Sequence, residues 1–353
     1  MTPQKDHAPT TADEKQGSTK RVLKRLLLAS AKALILALVC IWLFKNLYSS
    51  WDDISQYEWS PHWGWLVASG LFYLVGFFFA ALFWHIILHR LSQRSSLFES
   101  LEAYYYSQLG KYVPGKALVV VIRTSMLSRR SENRASVIAT SVFYETLTMM
   151  GTGAFIGAFI VLLTLHDNRY FSILAFGVAL GSLVPLLPPI FTRIVRLLRI
   201  GKNDPETQNA FSSFNYQNLF LGIVLMTILW SFFGLSLWAA LRGLGLETEP
   251  LMTTLPRYIS VVSLAMSLGF VMLISPGGLG IRELILSTLL VPYLSVLLAM
   301  PSNASFTIDA TALATIVSLL QRIISILAEL SASLALFVVK VVRPSKTESM
   351  TEN

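Results

Sequence analysis

WGWLVASGLFYLVGFFFAALFWHIIL, residues 63–88, runs for 26 residues without an Asp, Glu, Lys or Arg. As an α-helix rising about 1.5 Å per residue it is about 39 Å long, more than the roughly 30 Å hydrocarbon core of a bilayer. So long an uninterrupted apolar run predicts a transmembrane helix. Acidic residues precede it, at Asp52, Asp53 and Glu58, and basic ones follow it, at Arg90 and Arg94. Lys and Arg gather on the cytoplasmic side of membrane proteins, so this helix is expected to run from outside to inside. Trp51, Trp59, Trp63 and Trp65 sit where an outer aromatic belt belongs.

Further runs of the same kind lie at residues 26–44, 137–165, 170–190 and 218–241. Two shorter arms, 258–274 and 284–300, flank a glycine-rich break, and a long final run covers 310–339. The chain is hydrophobic at 54% of its 353 residues and charged at only 14%, too apolar for a soluble globule. The expected fold is an all-α polytopic membrane protein with about six to eight transmembrane helices and one or two re-entrant or broken segments. Basic clusters precede residue 26 and follow residues 88, 190 and 339, which predicts both termini in the cytoplasm. Residues 1–20 and 343–353 read as polar cytoplasmic tails around a membrane domain over 21–342. The net charge of +8 is spread over the ends of apolar runs, a distribution that does not suit nucleic acid. The single cysteine, Cys40, excludes an intramolecular disulfide and a cysteine-based metal site.

Residues 98–122 break the pattern, being apolar and aromatic yet flanked on both sides by cytoplasmic-type charge. A re-entrant hairpin satisfies both facts, with a first arm over 98–109 and a tip at Gly110-Lys111-Tyr112-Val113-Pro114-Gly115-Lys116. That tip matches the start of a phosphate-binding P-loop, but Ala117 stands where the Mg²⁺-holding Ser or Thr belongs, and no strand precedes it. Nucleotide hydrolysis is not expected. The second break is Ser275-Pro276-Gly277-Gly278-Leu279-Gly280-Ile281-Arg282-Glu283, which frees backbone N–H groups at the start of the following helix. Such half-helix starts bind anions in transporters. A tight turn between two complete spans reads the same residues equally well, and an entry from outside makes the two breaks an inverted pair.

Charge inside the apolar runs is the third irregularity. Glu145 lies within 137–165, and Ser318, Arg322, Ser325, Glu329 and Ser333 form a polar stripe on one face of the last helix. Arg322 and Glu329 at mid-membrane cost about 5 to 7 kcal/mol together, so each needs a partner on another helix, Glu145 being the one expected for Arg322. Gly153/Gly157 and Gly177/Gly181 have G-x-x-x-G spacing and are expected to seat close helix contacts. His85 and His89 share a face but lack the glutamate of a zinc motif, and read as headgroup-level residues. Asn303-Ala304-Ser305 matches a glycosylation sequon that is idle in most bacteria.

Taken together, Gly110 to Lys116, Arg123, Glu145 and the run Pro276-Gly277-Gly278-Leu279-Gly280-Ile281-Arg282-Glu283 resemble the lysylphosphatidylglycerol synthase transmembrane-region family, also called flippase-like. The resemblance extends from about Arg21 to Val342. It implies a multi-pass protein of the bacterial inner membrane that moves phospholipids or related lipids between leaflets. In bifunctional members a soluble aminoacyl-transferase domain follows the membrane part. This sequence stops shortly after Val342, so it is expected to resemble the stand-alone members and not to make lysyl lipids. Which lipid is carried stays open between phospholipid and glycolipid.

The expected mechanism places Lys111, Lys116, Arg123, Arg282 and Arg322 around an anionic lipid headgroup, beside the backbone of Gly277, Gly278 and Gly280. Glu145, Glu283 and Glu329 balance that positive charge or receive an amino group of the lipid. The expected partners are membrane lipids; no cofactor, metal, catalytic residue or nucleic acid is expected. Two rivals come from other classes: a membrane-embedded glycosyltransferase with one glutamate as base, and a non-transporting scaffold for a membrane-bound lipid-modifying enzyme.

Overall fold

The computed structural model describes residues 60–112, 117–129, 133–164, 169–198, 204–211, 213–271, 280–303 and 308–342, together with Ile41, Lys45 and Tyr48. The first expected span, 26–44, and both polar tails lie outside the described residues, apart from Ile41. All regular structure among the described residues is helical. In chain order the helices are α1 (Trp63–Arg90), α2 (Leu97–Leu109), α3 (Ala117–Leu127), α4 (Ala135–Thr164), α5 (Arg169–Leu183), α6 (Pro188–Leu197), α7 (Pro205–Phe211), α8 (Tyr216–Gly243), α9 (Leu251–Val271), α10 (Ile281–Leu298) and α11 (Ala310–Val342). Six of them, α1, α4, α8, α9, α10 and α11, are long and apolar enough to cross a membrane.

The expected span over 170–190 is not straight. Residues Ser172–Leu186 and Pro188–Leu197 are bent by 66° to one another. Pro185, Pro188 and Pro189 remove three backbone donors within five residues, and proline rings clash with the preceding turn, so the helix ends and restarts. Counted as one, the bent pair would be a seventh span.

α1 and α8 lie antiparallel along their whole lengths. The His62 N–H donates to the Gly243 carbonyl at one end, and Arg90 reaches Asn218 at the other. Between them Ser69 and Ser236 exchange hydroxyl bonds at 2.7 to 3.1 Å. Around this pair the chain does the same thing twice. A 28-residue helix (α1, α8) leads into a helical hairpin (α2/α3, α9/α10), and the hairpin leads into a helix of 30 or 33 residues (α4, α11).

The base of each hairpin is closed by one asparagine making the same three bonds. Asn133 accepts from the Arg94 N–H and donates to the carbonyls of Arg94 and Leu127 (2.7 to 2.9 Å). Asn303 accepts from the Glu247 N–H and donates to the carbonyls of Glu247 and Leu297 (2.8 to 2.9 Å). These clasps lie at opposite ends of the α1–α8 pair, the first beyond Arg90 and the second beyond Gly243. The two halves are therefore inverted with respect to each other. Asn303 is fully buried in this role, which removes it as a glycosylation acceptor.

Of the two expected small-residue contacts, one forms. Gly153 and Gly157 bring α4 against Trp230 and against Ser263, Leu264 and Ser267 of α9. Gly177 and Gly181 face open space, on a side of α5 where Ile173, Leu174, Phe176 and Leu180 are exposed. Among the described residues α5 packs on α4 with its other face, so the same spacing makes a contact in one case only.

Candidate functional site

The first hairpin is short. Its arms are 13 and 11 residues, about 20 and 17 Å of helix, half of what crossing requires. Ser96 starts it with a reciprocal cap, accepting from the Glu99 N–H while the Glu99 carboxylate accepts from Ser96 N–H. The tip begins as a 3₁₀ turn over Gly110–Tyr112. A side chain at Gly110 would sit 3.1 Å from the Val119 nitrogen, so the arms close tightly there. His85 and His89 hold the base to α1, bonding Ser100 Oγ at 2.9 Å and the Ser95 carbonyl at 2.8 Å.

At the tip, Lys111 is ion-paired with Glu329 of α11. Glu329 is fully buried and also accepts from Tyr73 of α1 (2.5 Å) and from Tyr112 (3.0 Å). The Lys111 ammonium lies 5.4 Å from the Phe77 ring and 5.3 Å from the Tyr112 ring. Tyr73 and Phe77 are near the middle of α1, and Glu329 is near the middle of α11. Residues 110–112, where the tip begins, thus lie halfway along the bundle.

The start of α10, in the second hairpin, lies at the same level. Gly280 precedes α10 with φ 83°, a conformation that a side chain resists, and its N–H donates to Glu283 Oε2 at 2.7 Å. The other oxygen of Glu283 faces Arg322 of α11 at 3.4 Å. The Arg322 guanidinium lies 5.0 Å from the Tyr112 ring, so α11 links the start of the first tip to Glu283 at the start of α10. A side chain at Gly269 of α9 would come within 3.2 Å of Arg282 Cβ and 3.3 Å of its Cα, so glycine is what lets α9 lie against the start of α10. By length α9 and α10 can each cross a membrane, yet the start of α10 lies beside the middle of α11.

Arg123 makes the third charged contact, and it corrects an expectation. Glu145 is the partner of Arg123 (2.8 Å), not of Arg322. Arg123 also donates to Ser107 at 2.8 Å and stacks 3.9 Å from the Tyr104 ring, while Tyr104 donates to Glu145 at 2.9 Å. Glu145 and Arg322 occupy comparable places in the two halves, each receiving the charged residue of its own hairpin's second arm. Their charges are opposite, so the ion pair is reversed between the halves.

Between these pairs lies a partly open cavity of about 200 Å³. Lys111, Arg123, Glu145 and Arg282 line it, with Gln108, Thr146, Tyr104 and a predominantly apolar wall of Phe, Val and Met side chains. A family model described as the lysylphosphatidylglycerol synthase TM region matches residues 29–307. The chain belongs to that family. No curated protein matches it.

In this lysylphosphatidylglycerol synthase-type membrane region, the matched residues carry both hairpins but stop short of α11, which supplies Arg322 and Glu329. Of the expected site residues, Lys111, Arg123, Glu145 and Arg282 reach the cavity wall, while Gly280, Glu283, Arg322 and Glu329 form the supporting layer beside it. Lys116, Gly277 and Gly278 lie outside the described residues. The residues that sequence reasoning missed are the tyrosines Tyr73, Tyr104 and Tyr112, whose hydroxyls satisfy the carboxylates, together with Gln108 and Gly269. Tyr73 sits inside the most apolar run of the chain, where a phenol needs a buried acceptor; that need was the available signal.

Proposed function

We propose that this chain is a lipid transporter of the flippase type that carries an anionic phospholipid or a lipid-linked anionic headgroup between leaflets of the bacterial inner membrane, with both termini in the cytoplasm. The observation that carries the reading is the convergence of two inverted hairpins on one cationic cavity, which Lys111 lines from the first and Arg282 from the second. Inverted repeats with interrupted helices at their interface are the architecture of alternating access, in which one half rocks against the other around a fixed site. Family membership supports a role in lipid handling, and the mixed wall of charged and apolar side chains suits an amphiphile.

The mechanism needs no catalytic group or cofactor. Glu145, Glu283 and Glu329 are each engaged by a cation, which speaks against any of them serving as the base of a glycosyltransferase. They keep the unloaded site from accumulating positive charge. The deciding experiment reconstitutes the full chain in liposomes containing a fluorescent phospholipid in both leaflets, followed by a membrane-impermeant quencher. Transport removes more signal than the outer leaflet holds. If the inner-leaflet signal stays protected while polyprenyl-phosphate sugar donors are consumed, the glycosyltransferase reading replaces this one; protection with no turnover leaves the scaffold.

A further inference from the structure

The ion pairs around the cavity differ in whether the fold repeats them. Arg123 of the first hairpin meets Glu145 of α4, and Glu283 of the second meets Arg322 of α11, so this contact occurs once in each half. Two helical turns beyond Arg322 comes Glu329, paired with Lys111. Two turns beyond Glu145 comes Thr152, which is fully buried and whose hydroxyl has no hydrogen-bond partner among the described residues. The same architecture thus closes around a neutral side chain in one half and a carboxylate in the other, so packing by itself does not call for a charge there. A mid-membrane carboxylate that packing does not require points to a function.

Glu329 is held so that it is satisfied with or without a proton. Tyr73 and Tyr112 donate to its two oxygens at 2.5 and 3.0 Å, while Lys111 donates to the first of them and, at 3.3 Å, to the Tyr73 oxygen. A phenol both donates and accepts, so the hydroxyls that serve the carboxylate can also accept from the acid, whereas an ammonium only donates. Lys111 links this group to the cavity, for it lines the wall while its ammonium reaches the fully buried carboxylate. Among the described residues, the other charged groups at this level are Arg282 of α10 and Arg322 on α11 itself. Of the remaining elements packed on α11, α2 places Glu102 against Lys340 near the far end of the helix, and α8 has Arg242 as its only charged residue, paired with Glu247.

Resting on the transport reading above, we propose that Glu329 is a proton-coupling site. When an anionic substrate in the cavity draws the Lys111 ammonium, Glu329 loses its counter-charge in a dry site and takes a proton from water in the open cavity. One O–H bond forms on the carboxyl, and one of the two phenols turns to accept from it. When the substrate leaves, Lys111 returns, the O–H bond breaks, and the proton passes to water on the side that the cavity then faces. Each of the two ligands favours the binding of the other, because linkage is reciprocal. One proton accompanies each substrate, so a pH difference across the membrane drives transport toward the alkaline side.

The test has two arms. In the first, infrared difference spectra of the purified full chain in detergent are recorded as dioctanoyl phosphatidylglycerol is added at neutral pH. The carbonyl band of a protonated carboxyl should appear in the wild type and vanish in Glu329→Gln. Should Glu329→Gln fail to fold, Glu329→Asp assigns the band, because it keeps a carboxyl and moves its frequency. In the second, liposomes carry a trace of fluorescent phosphatidylglycerol, read with an impermeant quencher, and the voltage is clamped with potassium and valinomycin. A pH difference of about one unit should gather the label in the leaflet on the alkaline side, up to about tenfold over the other, and Glu329→Gln should lose this accumulation. No band in the wild type, a band untouched by substitution, or accumulation driven by a sodium gradient at equal pH would each overturn the proposal. A Glu329 band without any lipid movement rejects the transporter reading and keeps the proton site. Lipid movement indifferent to the pH difference, or equal accumulation in Glu329→Gln, rejects the coupling and keeps the transporter.

Discussion

At the residue scale the outcome turns on which charges satisfy each other. Arg123 is 2% exposed and Glu145 fully buried, so neither has water to fall back on. Removing one partner leaves the other charged in a dry site, a loss of about 3 to 5 kcal/mol, whereas removing both together costs far less. Arg123→Leu and Glu145→Leu should therefore each lower thermal stability in detergent markedly, with the double variant recovering most of it. Similar stability of all three variants would mean that the pair is not the buried unit described. The Arg322–Glu283 pair should behave differently in the same experiment. Glu283 also holds the Gly280 N–H, so Glu283→Leu should remain destabilising even when Arg322→Leu accompanies it.

At the scale of elements, the same sequence feature has different consequences in different places. Gly153→Val drives a side chain into Trp230, whose ring carbons lie 2.4 to 2.5 Å from the added Cβ, and should destabilise the α4–α8 contact. Gly177→Val and Gly181→Val, with open space around them, should leave the melting temperature unchanged. Comparable losses in all three variants would contradict the packing seen on α4 and α5. The hairpins add a second contrast. Asn133→Ala and Asn303→Ala each strip three hydrogen bonds from backbone groups at a hairpin base, for about 1 to 3 kcal/mol. Each loss should appear as faster hydrogen exchange confined to the clasped hairpin, α2/α3 in one case and α9/α10 in the other.

At the scale of the whole molecule, the inverted halves predict which surfaces share a side of the membrane. In a Cys40→Ala background, cysteines replacing Arg94 and Arg129 flank the base of the first hairpin and should be modified by an impermeant thiol reagent from the same side. Cysteines replacing Glu247 and Ser302, at the base of the second, should be modified from the other side only. The four positions are exposed in the folded chain, apart from the backbone bonds at the clasps. Labelling of Arg94→Cys and Arg129→Cys from opposite sides would end the description of α2/α3 as a hairpin that returns to its starting face.

How much of this was legible beforehand follows from the range of the forces involved. The helical, membrane-spanning class was fixed by uninterrupted apolar runs such as 63–88, because a bilayer imposes its thickness on each segment separately. The two breaks were legible for the same reason, since proline, glycine and charge act on the local backbone wherever the chain goes. So were the charged residues of the candidate site, because a charge in an apolar run is conspicuous by itself. The partners were not. Periodicity placed Arg322 and Glu329 on one face of α11, but it could not say that Glu283 rather than Glu145 meets Arg322, nor that no described residue packs on Gly177 and Gly181. Nor could it show that, among the described residues, Lys111, Arg123 and Arg322 each meet a carboxylate while Arg282 meets none. Those outcomes depend on residues far apart in the chain arriving at one depth, and only the packing of the two inverted halves around α1 and α8 brings them there.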